Sequence, residues 1–282
     1  MKRLVRSRTA GTKTRSPPLA TTRHDPAQGA KPAANSTADR AIDILLMFSE
    51  QHPVLSIAEI SAQFNMPRTT TYRYLNSLRS YALIVEDLSG GFRLGPRIFP
   101  LARIARESSP IQKMSLPHLN ALSRQFGESI ILYERIGHDV IAVHRCECLH
   151  RVSINYFRGQ LLPWPATASA KVLLAYASEP DQRGILKLLK PVRYTETTIA
   201  NAKSLRAYLG AIVKQGYAYS DQERDRGVRG IAAPIFSRGE SRYCLTMSGP
   251  TFRLTEDRLP LMISAVKSTA EAISDELRKA DF

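Results

Sequence analysis

The chain has 282 residues, which is enough for two domains that each bury a core. Lys and Arg number 40 against 25 Asp and Glu, and the formal charge of +15 favours a polyanionic partner. No run of about eighteen apolar residues is present, which excludes a membrane-spanning helix, and three cysteines fit free thiols in a reducing cytoplasm.

Residues 1–35 carry eight Lys or Arg and one Asp, almost half of the net positive charge. They contain few large apolar groups, so burial cannot offset the entropy lost on ordering, and a disordered basic arm is predicted. Such an arm adds phosphate contacts to DNA or remains a solvated tail, and its Arg-rich, acid-poor composition also fits an organelle transit peptide. The residues alone leave these alternatives open.

Two short helices joined by a tight turn are predicted over residues 55–78. Ser56 and Glu59 form a capping box, which fixes the start of the first helix. Pro67 sets the start of the second helix near Arg68, because a proline at the first helical position loses no needed hydrogen bond.

A helix before this pair and a hairpin after it predict a winged helix-turn-helix domain over residues 36–97. The upstream helix has apolar residues that we expect to close the small core: Ala38, Ala41, Ile42, Leu45, Leu46 and Phe48. The hairpin consists of two short strands around a turn at residues 89–91.

The outward face of the second helix is polar and holds no carboxylate, as a recognition helix in the DNA major groove requires. Arginine pairs with guanine or phosphate, asparagine pairs with adenine, and Thr and Tyr hydroxyls reach phosphate oxygens. The predicted DNA-binding residues are Arg68, Thr69, Thr70, Tyr72, Arg73 and Asn76. The alternative is an ordinary helical hairpin with a solvated polar face.

Residues 98–109 have apolar positions at helical spacing and predict a linker helix, in which Pro100 is expected to cause a kink or a delayed start. Residues 110–282 mix helical and alternating patterns, which predicts an α+β domain with an antiparallel sheet and flanking helices. Its strands are predicted at residues 130–135, 140–144, 152–157, 230–236 and 242–248. Its helices after the first are predicted at residues 168–177, 181–189 and 202–215 and near the C-terminus.

Two groups of segments carry a family resemblance. The first group comprises residues 39–45, 57–60, 66–75 and 92–97, with the motifs Met-Pro-Arg-Thr-Thr-Thr-Tyr-Arg-Tyr-Leu and Phe-Arg-Leu-Gly-Pro-Arg. The second group comprises residues 162–175, 216–223 and 227–236. Together they resemble the IclR family of bacterial transcriptional regulators over nearly all of residues 36–280.

The resemblance implies a sequence-specific regulator that binds double-stranded operator DNA as a homodimer or a dimer of dimers. It also implies a C-terminal GAF-like effector domain, which binds a small organic acid, aromatic acids included. The family commonly has Gly at Ala170, a small residue with a side chain at Gly230, and Asp or Asn at Ser237. These departures mean that the identity of the ligand does not transfer.

The resemblance places the effector pocket at residues 162–175, where a loop enters a helix and backbone amides favour an anion. The expected effector-binding residues are Trp164, Thr167, Ala168, Ser169, Ala170, Asp221, Glu223, Gly230 and Ile231. For Thr167 and Ser169 the alternative is helix capping. For Asp221 and Glu223 it is a solvated turn, and for Trp164 it is core packing.

His144, Cys146, Cys148 and His150 alternate along the chain, and two thiols with two imidazoles form a zinc-like ligand set. All four converge only if the strand turns sharply. A metal- or thiol-sensing regulator is therefore an alternative function, and a thiol enzyme is a less favoured one. No nucleophile elbow or phosphate loop supports an enzyme, so we predict no catalytic residue, resident metal or cofactor.

Overall fold

The computed structural model describes residues 36–146, 148, 150–154, 157–189 and 192–280. The predicted basic arm lies outside these residues. Within them, no helix combines the length and the apolar character that crossing a membrane requires.

The first part of the chain forms helices around a small antiparallel sheet. Its elements are α1 (Thr37–Leu46), β1 (Val54–Leu55), α2 (Ile57–Phe64), α3 (Arg68–Ser80), β2 (Ile84–Glu86) and β3 (Phe92–Leu94). The predicted capping box of Ser56 and Glu59 starts α2, and Ser36 makes an equivalent box at α1. The sheet has the order β1-β3-β2, so β1, which was not predicted, pairs with the hairpin.

A small apolar core lies between these helices and the sheet. Its buried members are Ile44, Leu55, Ile60, Leu75, Leu78, Ile84 and Phe92. Three residues expected there are instead exposed: Ala38, Ile42 and Leu46, the last two to 54% and 55%. They recur every four residues and so share a side of the helix that points away from Ile44 and from the face that packs on α3.

Helix α4 (Ile98–Glu107) follows the hairpin where the linker helix is predicted. It begins before Pro100, so the expectation of a delayed start was wrong. The proline lies in the first turn, where backbone amides have no acceptor within the helix, and its missing N–H removes no bond. None of the ten residues of α4 is fully buried.

The rest of the chain is a five-stranded antiparallel sheet between two helical layers, which confirms the predicted α+β class. Its elements are α5 (Pro110–Phe126), β4 (Ser129–Ile136), β5 (Asp139–Cys146), α6 (Ala168–Ala175), α7 (Glu179–Leu188), α8 (Ala202–Gln215), β6 (Ala218–Asp221), β7 (Val228–Ser237), β8 (Glu240–Pro250) and α9 (Leu259–Lys279). The strand order is β5-β4-β8-β7-β6.

Alternate residues of the strands face different layers, as the period of two in a strand requires. Ile131 and Tyr133 pack in the core beneath α6, α7 and α8. Ile130 and Leu132 pack in a second core beneath α5 and α9. Both faces of the central strands are therefore buried.

The strand predicted at residues 152–157 was wrong for every position that the structure describes. Residues 152–154 and 157 lie in irregular backbone, and residues 155 and 156 lie outside the described part. Val152 and Phe157 are more than half exposed, so their apolar character reflects no buried sheet face.

Strand β6, which was not predicted, forms one edge of the sheet, and side chains cap its outward backbone groups. The carbonyl of Tyr219 accepts hydrogen bonds from the Tyr208 hydroxyl at 2.7 Å and the Lys171 ammonium at 3.0 Å. The carbonyl of Asp221 accepts one from the Thr197 hydroxyl at 2.9 Å.

Candidate functional site

The outer face of α3 is polar and open. Five of the six predicted DNA-binding residues are exposed, and Thr70 is half-buried. The opposite side of the helix is apolar except for Thr71 and packs into the core through Leu75 and Leu78. The helix therefore presents the predicted set to the outside, with no carboxylate among the residues of α3.

The turn between α2 and α3 is fixed by both backbone and side chains. Asn65 ends α2 in the left-handed conformation, and the amide of Met66 donates to the carbonyl of Ser61 at 3.0 Å. The buried Thr71 hydroxyl lies 2.9 Å from the Ser61 hydroxyl and so links the two helices. This link holds α3 at a defined angle to α2.

Asn76 is part of a polar chain that runs from α3 to the hairpin, which we call the wing. The Arg79 guanidinium donates to the Asn76 side-chain oxygen at 3.0 Å and also forms an ion pair with Glu86 on β2. The oxygen of Asn76 is therefore already engaged within the protein.

The wing carries two acids, and both are engaged internally. Glu86 pairs with Arg79, and the Asp87 carboxylate accepts hydrogen bonds from the amide and hydroxyl of Ser89 at 3.0 and 2.7 Å. Those bonds hold the pKa of Asp87 below its usual value. The next residue, Leu88, lies at the tip of the wing and is exposed.

A narrow cleft opens between the N-terminus of α6, the sheet and the loop after β6. Five serine and threonine residues line it: Thr167, Ser169, Ser220, Thr246 and Ser248. Its charged lining residues are Arg224 and Asp225, and its other walls are Tyr133, Leu162, Ala166, Ala168, Val228 and Gly230. The enclosed volume is about 20 Å³, which is room for about one water molecule.

The N-terminus of α6 supplies hydrogen-bond donors to this cleft. The Thr167 hydroxyl caps the helix by accepting the amide of Ala170 at 3.2 Å, and the amide of Lys171 bonds the Thr167 carbonyl. The amides of Ala168 and Ser169 precede the first intrahelical bond and lie at the cleft wall. Thr167 thus acts as a cap and also lines the cleft.

The structure brings together four of the nine predicted effector-binding residues: Thr167, Ala168, Ser169 and Gly230. Trp164 does not line the cleft; it is buried in the core, where its indole N–H donates to the His138 carbonyl at 2.6 Å. Ile231 packs in the core beneath α5 and α9, because neighbouring residues of a strand face opposite sides. Ala170 is buried and lies outside the cleft lining.

Asp221 and Glu223, also expected to bind the effector, instead form ion pairs. The Arg229 guanidinium donates to both carboxylate oxygens of Asp221, at 2.9 and 3.1 Å, and to Glu256 at 2.9 Å. These bonds lower the pKa of Asp221. Glu223 pairs with Lys171 on α6, and burial raises the pKa of Glu223 and lowers that of Lys171.

Arg224 and Asp225, which line the cleft, were not predicted. They directly follow the segment 216–223 that resembles the family, and this adjacency is a sequence signal that could have identified them. Ser220, Thr246 and Tyr133 reach the cleft from three different strands. Only the strand register places them together, and no local pattern reveals that register.

The zinc-like set of the alternative function does not assemble, and the described residues contain no group of three or more His, Cys, Asp or Glu that could hold a metal. The Cys146 thiol bonds the Asn120 side chain at 3.1 Å, and the Cys148 thiol bonds the Gly127 carbonyl at 3.0 Å. Strand β5 ends at Cys146, so the alternation that put all four groups on one face does not continue.

A helix-turn-helix with an open, carboxylate-free recognition face, followed by a sheet domain with a polar cleft, defines a DNA-binding regulator. Comparison with known families identifies which one. The model of the IclR helix-turn-helix domain matches residues 37–87, and that of the bacterial transcriptional regulator IclR C-terminal domain matches residues 105–275. The chain belongs to the IclR family, and it is a DNA-binding transcriptional regulator, not an enzyme.

Characterised relatives match over most of their length. The transcriptional regulator KdgR of Escherichia coli K12 is 26% identical over 254 residues, which cover 89% of this chain and 96% of KdgR. KipR of Bacillus subtilis is 27% identical over 244 residues, which cover 86% of this chain and 97% of KipR.

Solved structures share the fold. An IclR-type regulator from Silicibacter sp. TM1040 has a TM-score of 0.77 at 22% identity, covering 86% of this chain and 96% of its own. An IclR homologue from Microbacterium hydrocarbonoxydans, complexed with 4-hydroxybenzoate, has a TM-score of 0.69 at 22% identity, covering 86% and 100%.

Proposed function

We propose that this regulator changes its affinity for operator DNA when a small organic acid binds the cleft at the N-terminus of α6. The observation that carries the proposal is the meeting at one cleft of the α6 amides of Ala168 and Ser169, five Ser and Thr residues, and the Arg224 guanidinium, whose Nε lies 3.6 Å from the Asp225 carboxylate. Helix N-termini and guanidinium groups both favour a carboxylate. The similar Microbacterium protein was solved with an aromatic acid, 4-hydroxybenzoate, which supports a small acid as the ligand type.

The lining favours a short hydroxylated or keto acid over an aromatic one. The wall hydroxyls already pair within the protein, Ser169 with Thr246 at 3.0 Å and Ser248 with the Arg229 carbonyl at 3.4 Å. Their remaining lone pairs can still accept from ligand hydroxyls, a bond that an aromatic ring does not make. Tyr133 is the only aromatic residue at the cleft among the described residues. The cleft has room for about one water molecule, so it must widen to hold a carboxylic acid.

A thermal-shift screen tests this proposal, with glycerate and gluconate compared against benzoate. A ligand that binds only the folded protein adds about 2.7 kcal/mol at a hundred times its Kd. We expect Arg224→Gln to abolish the shift, and Arg206→Gln, an exposed change on α8, to preserve it. A shift with benzoate alone would refute the preference for hydroxylated acids, and no shift with any carboxylate would refute acid sensing.

For the DNA interface we propose that Arg68, Thr69, Thr70, Tyr72 and Arg73 contact DNA directly, with Asn76 holding Arg79. Arg68, Thr69, Tyr72 and Arg73 are exposed and Thr70 is half-buried on the same helix, whereas the Asn76 oxygen is bonded to Arg79, and these observations support this division. The proposed domains are the arm over 1–35, the DNA-binding domain over 36–97, the linker over 98–109 and the effector domain over 110–282.

We further propose that the protein is a homodimer or a dimer of dimers. Leu101 and Ile104, one turn apart on α4, are 51% and 54% exposed, and Ile42 and Leu46 form a similar exposed pair on α1. A second copy that covers these pairs would also supply the second recognition helix that a palindromic operator requires.

Sedimentation velocity tests the oligomer. We expect Ile104→Asp to dissociate the protein and Leu261→Asp, at a comparably exposed position on α9, to leave the assembly intact. A monomeric parent protein, or an assembly unchanged by Ile104→Asp, would contradict the proposed interface.

A further inference from the structure

Lys171 is a fully enclosed cation on α6 with three partners. Its ammonium pairs with the Glu223 carboxylate, donates to the Tyr219 carbonyl at 3.0 Å and lies 4.7 Å from the centre of the Tyr208 ring. Its side chain is 0% exposed and that of Glu223 is 7% exposed. Neither residue lines the cleft.

The carboxylate that pairs with Lys171 is that of Glu223, which lies in the loop over residues 222–228. Hydrogen bonds join the two ends of this loop. The amide of Gln222 donates to the Val228 carbonyl at 2.8 Å, the amide of Gly227 donates to the Gln222 side chain at 2.9 Å, and the amide of Val228 donates to the Asp225 carbonyl at 3.2 Å. The loop between these bonds carries Arg224, so a shift of the loop moves that guanidinium.

The loop is held from two sides. On one side the hydroxyls of Thr195 and Thr198 donate to the Glu223 carbonyl at 3.1 and 2.6 Å. On the other side Lys171 holds the Glu223 carboxylate, and the amide of Lys171 bonds the Thr167 carbonyl at 3.1 Å. The ion pair therefore joins the two polar walls of the cleft, the N-terminus of α6 and the loop with Arg224.

A buried ion pair contributes little net stability, because desolvation of the two charges offsets their attraction. Replacing both partners by apolar groups of similar volume is often neutral, whereas removing one leaves a buried charge without its counterion. Stability alone therefore does not account for this pair.

We propose that Lys171 and Glu223 are positioning residues of the effector cleft, which set the place of Arg224 relative to the α6 amides without touching the ligand. This inference rests on the proposed function, because positioning Arg224 matters only if the cleft binds an effector. The restraint of the loop by the ion pair can nevertheless be measured without any effector.

The test uses the full-length chain with the double change Lys171→Met and Glu223→Leu. We expect its melting temperature to stay within about 3 °C of the parent, since the apolar pair fills the same space. Hydrogen exchange over residues 222–228 should accelerate at least tenfold, while exchange in α5 and α9 stays unchanged. Labelling of Arg224 by phenylglyoxal should accelerate similarly, while labelling of the exposed Arg206 does not.

Two further variants complete the design. Glu223→Gln retains an oxygen that accepts from the Lys171 ammonium, so it should restrain the loop more than the double variant does. The change Glu179→Gln breaks an exposed pair with Arg183 and should leave Arg224 labelling unaltered. If the double variant does not fold, Glu223→Gln is measured alone, with faster Arg224 labelling than the parent as its expected result.

Unchanged exchange and labelling in the folded double variant, or in Glu223→Gln if only that folds, would overturn the positioning role. The Thr195 and Thr198 contacts would then hold the loop unaided. Failure of the carboxylate screen would refute acid sensing and leave this result standing, so the two failures are distinguishable.

Discussion

The change Gly95→Ala should displace the wing, because the backbone leaves no room for a side chain there. A Cβ atom at this position would lie 2.8 Å from the carbonyl carbon of Ala82 and 3.0 Å from the amide nitrogen of Ile84, and closer still to the Ala82 oxygen. All three are backbone atoms, which cannot rotate away. The residues after β3 must therefore move.

The cost follows from the bonds that this movement breaks. The amide of Gly95 donates to the Leu83 carbonyl at 2.7 Å, and the amide of Arg97 donates to the Ala82 carbonyl at 3.2 Å. At about 1 kcal/mol for each bond plus the residual strain, we expect a loss of about 2 to 4 kcal/mol of folding free energy. Operator affinity should fall with it, since the wing stands beside α3.

Hydrogen exchange over residues 82–97 and fluorescence anisotropy with operator DNA measure both effects. The matched control is Gly210→Ala in α8, where a Cβ meets nothing within 4 Å and alanine should stabilise the helix by about 0.5 to 1 kcal/mol. Normal protection of residues 82–97 together with unchanged affinity in Gly95→Ala would refute the steric argument.

Two other predictions concern DNA reading and acid stability. Arg73→Ala should cost about 1 to 3 kcal/mol of binding free energy on operator DNA in anisotropy titrations, and less on scrambled DNA. Arg103→Ala, an equal charge loss on α4, should weaken binding to both DNAs alike. Equal losses for Arg73→Ala on both DNAs would make Arg73 a phosphate contact. For Asp221, bonded to Arg229, a folded pKa below its ordinary 3.8 means that stability is present above that value and lost as the pH falls through the lowered one. Thermal unfolding of the parent and Asp221→Asn should therefore differ by a constant amount between about pH 5 and 7 and converge in stronger acid; a difference that persists there would contradict the assignment.

Local patterns were sufficient to predict the helices and the long strands. The capping box at Ser56 and the period of the apolar residues in α8 are properties of neighbouring residues, and the structure follows both. The family resemblance added the order of the domains and the position of the cleft at α6.

Contacts between distant residues account for what was missed. Strands β1 and β6 have two and four residues, too few for a periodic pattern, and exist because β3 and β7 pair with them. Glu223 was read as a ligand contact because its partner, Lys171, lies 52 positions away. An acid on a loop looks the same in a sequence whether it meets an effector or a buried lysine.

The capped edge of the five-stranded sheet also bears on misassembly. An unpaired edge strand is a template on which another chain can add a strand and begin to aggregate. Along β6, an incoming strand would have to displace the ammonium of Lys171 and the hydroxyls of Tyr208 and Thr197 before it reached the carbonyls of Tyr219 and Asp221. Lys171, Tyr208 and Thr197 therefore also cover this edge against strand addition, and Lys171 belongs both to that cover and to the ion pair with Glu223.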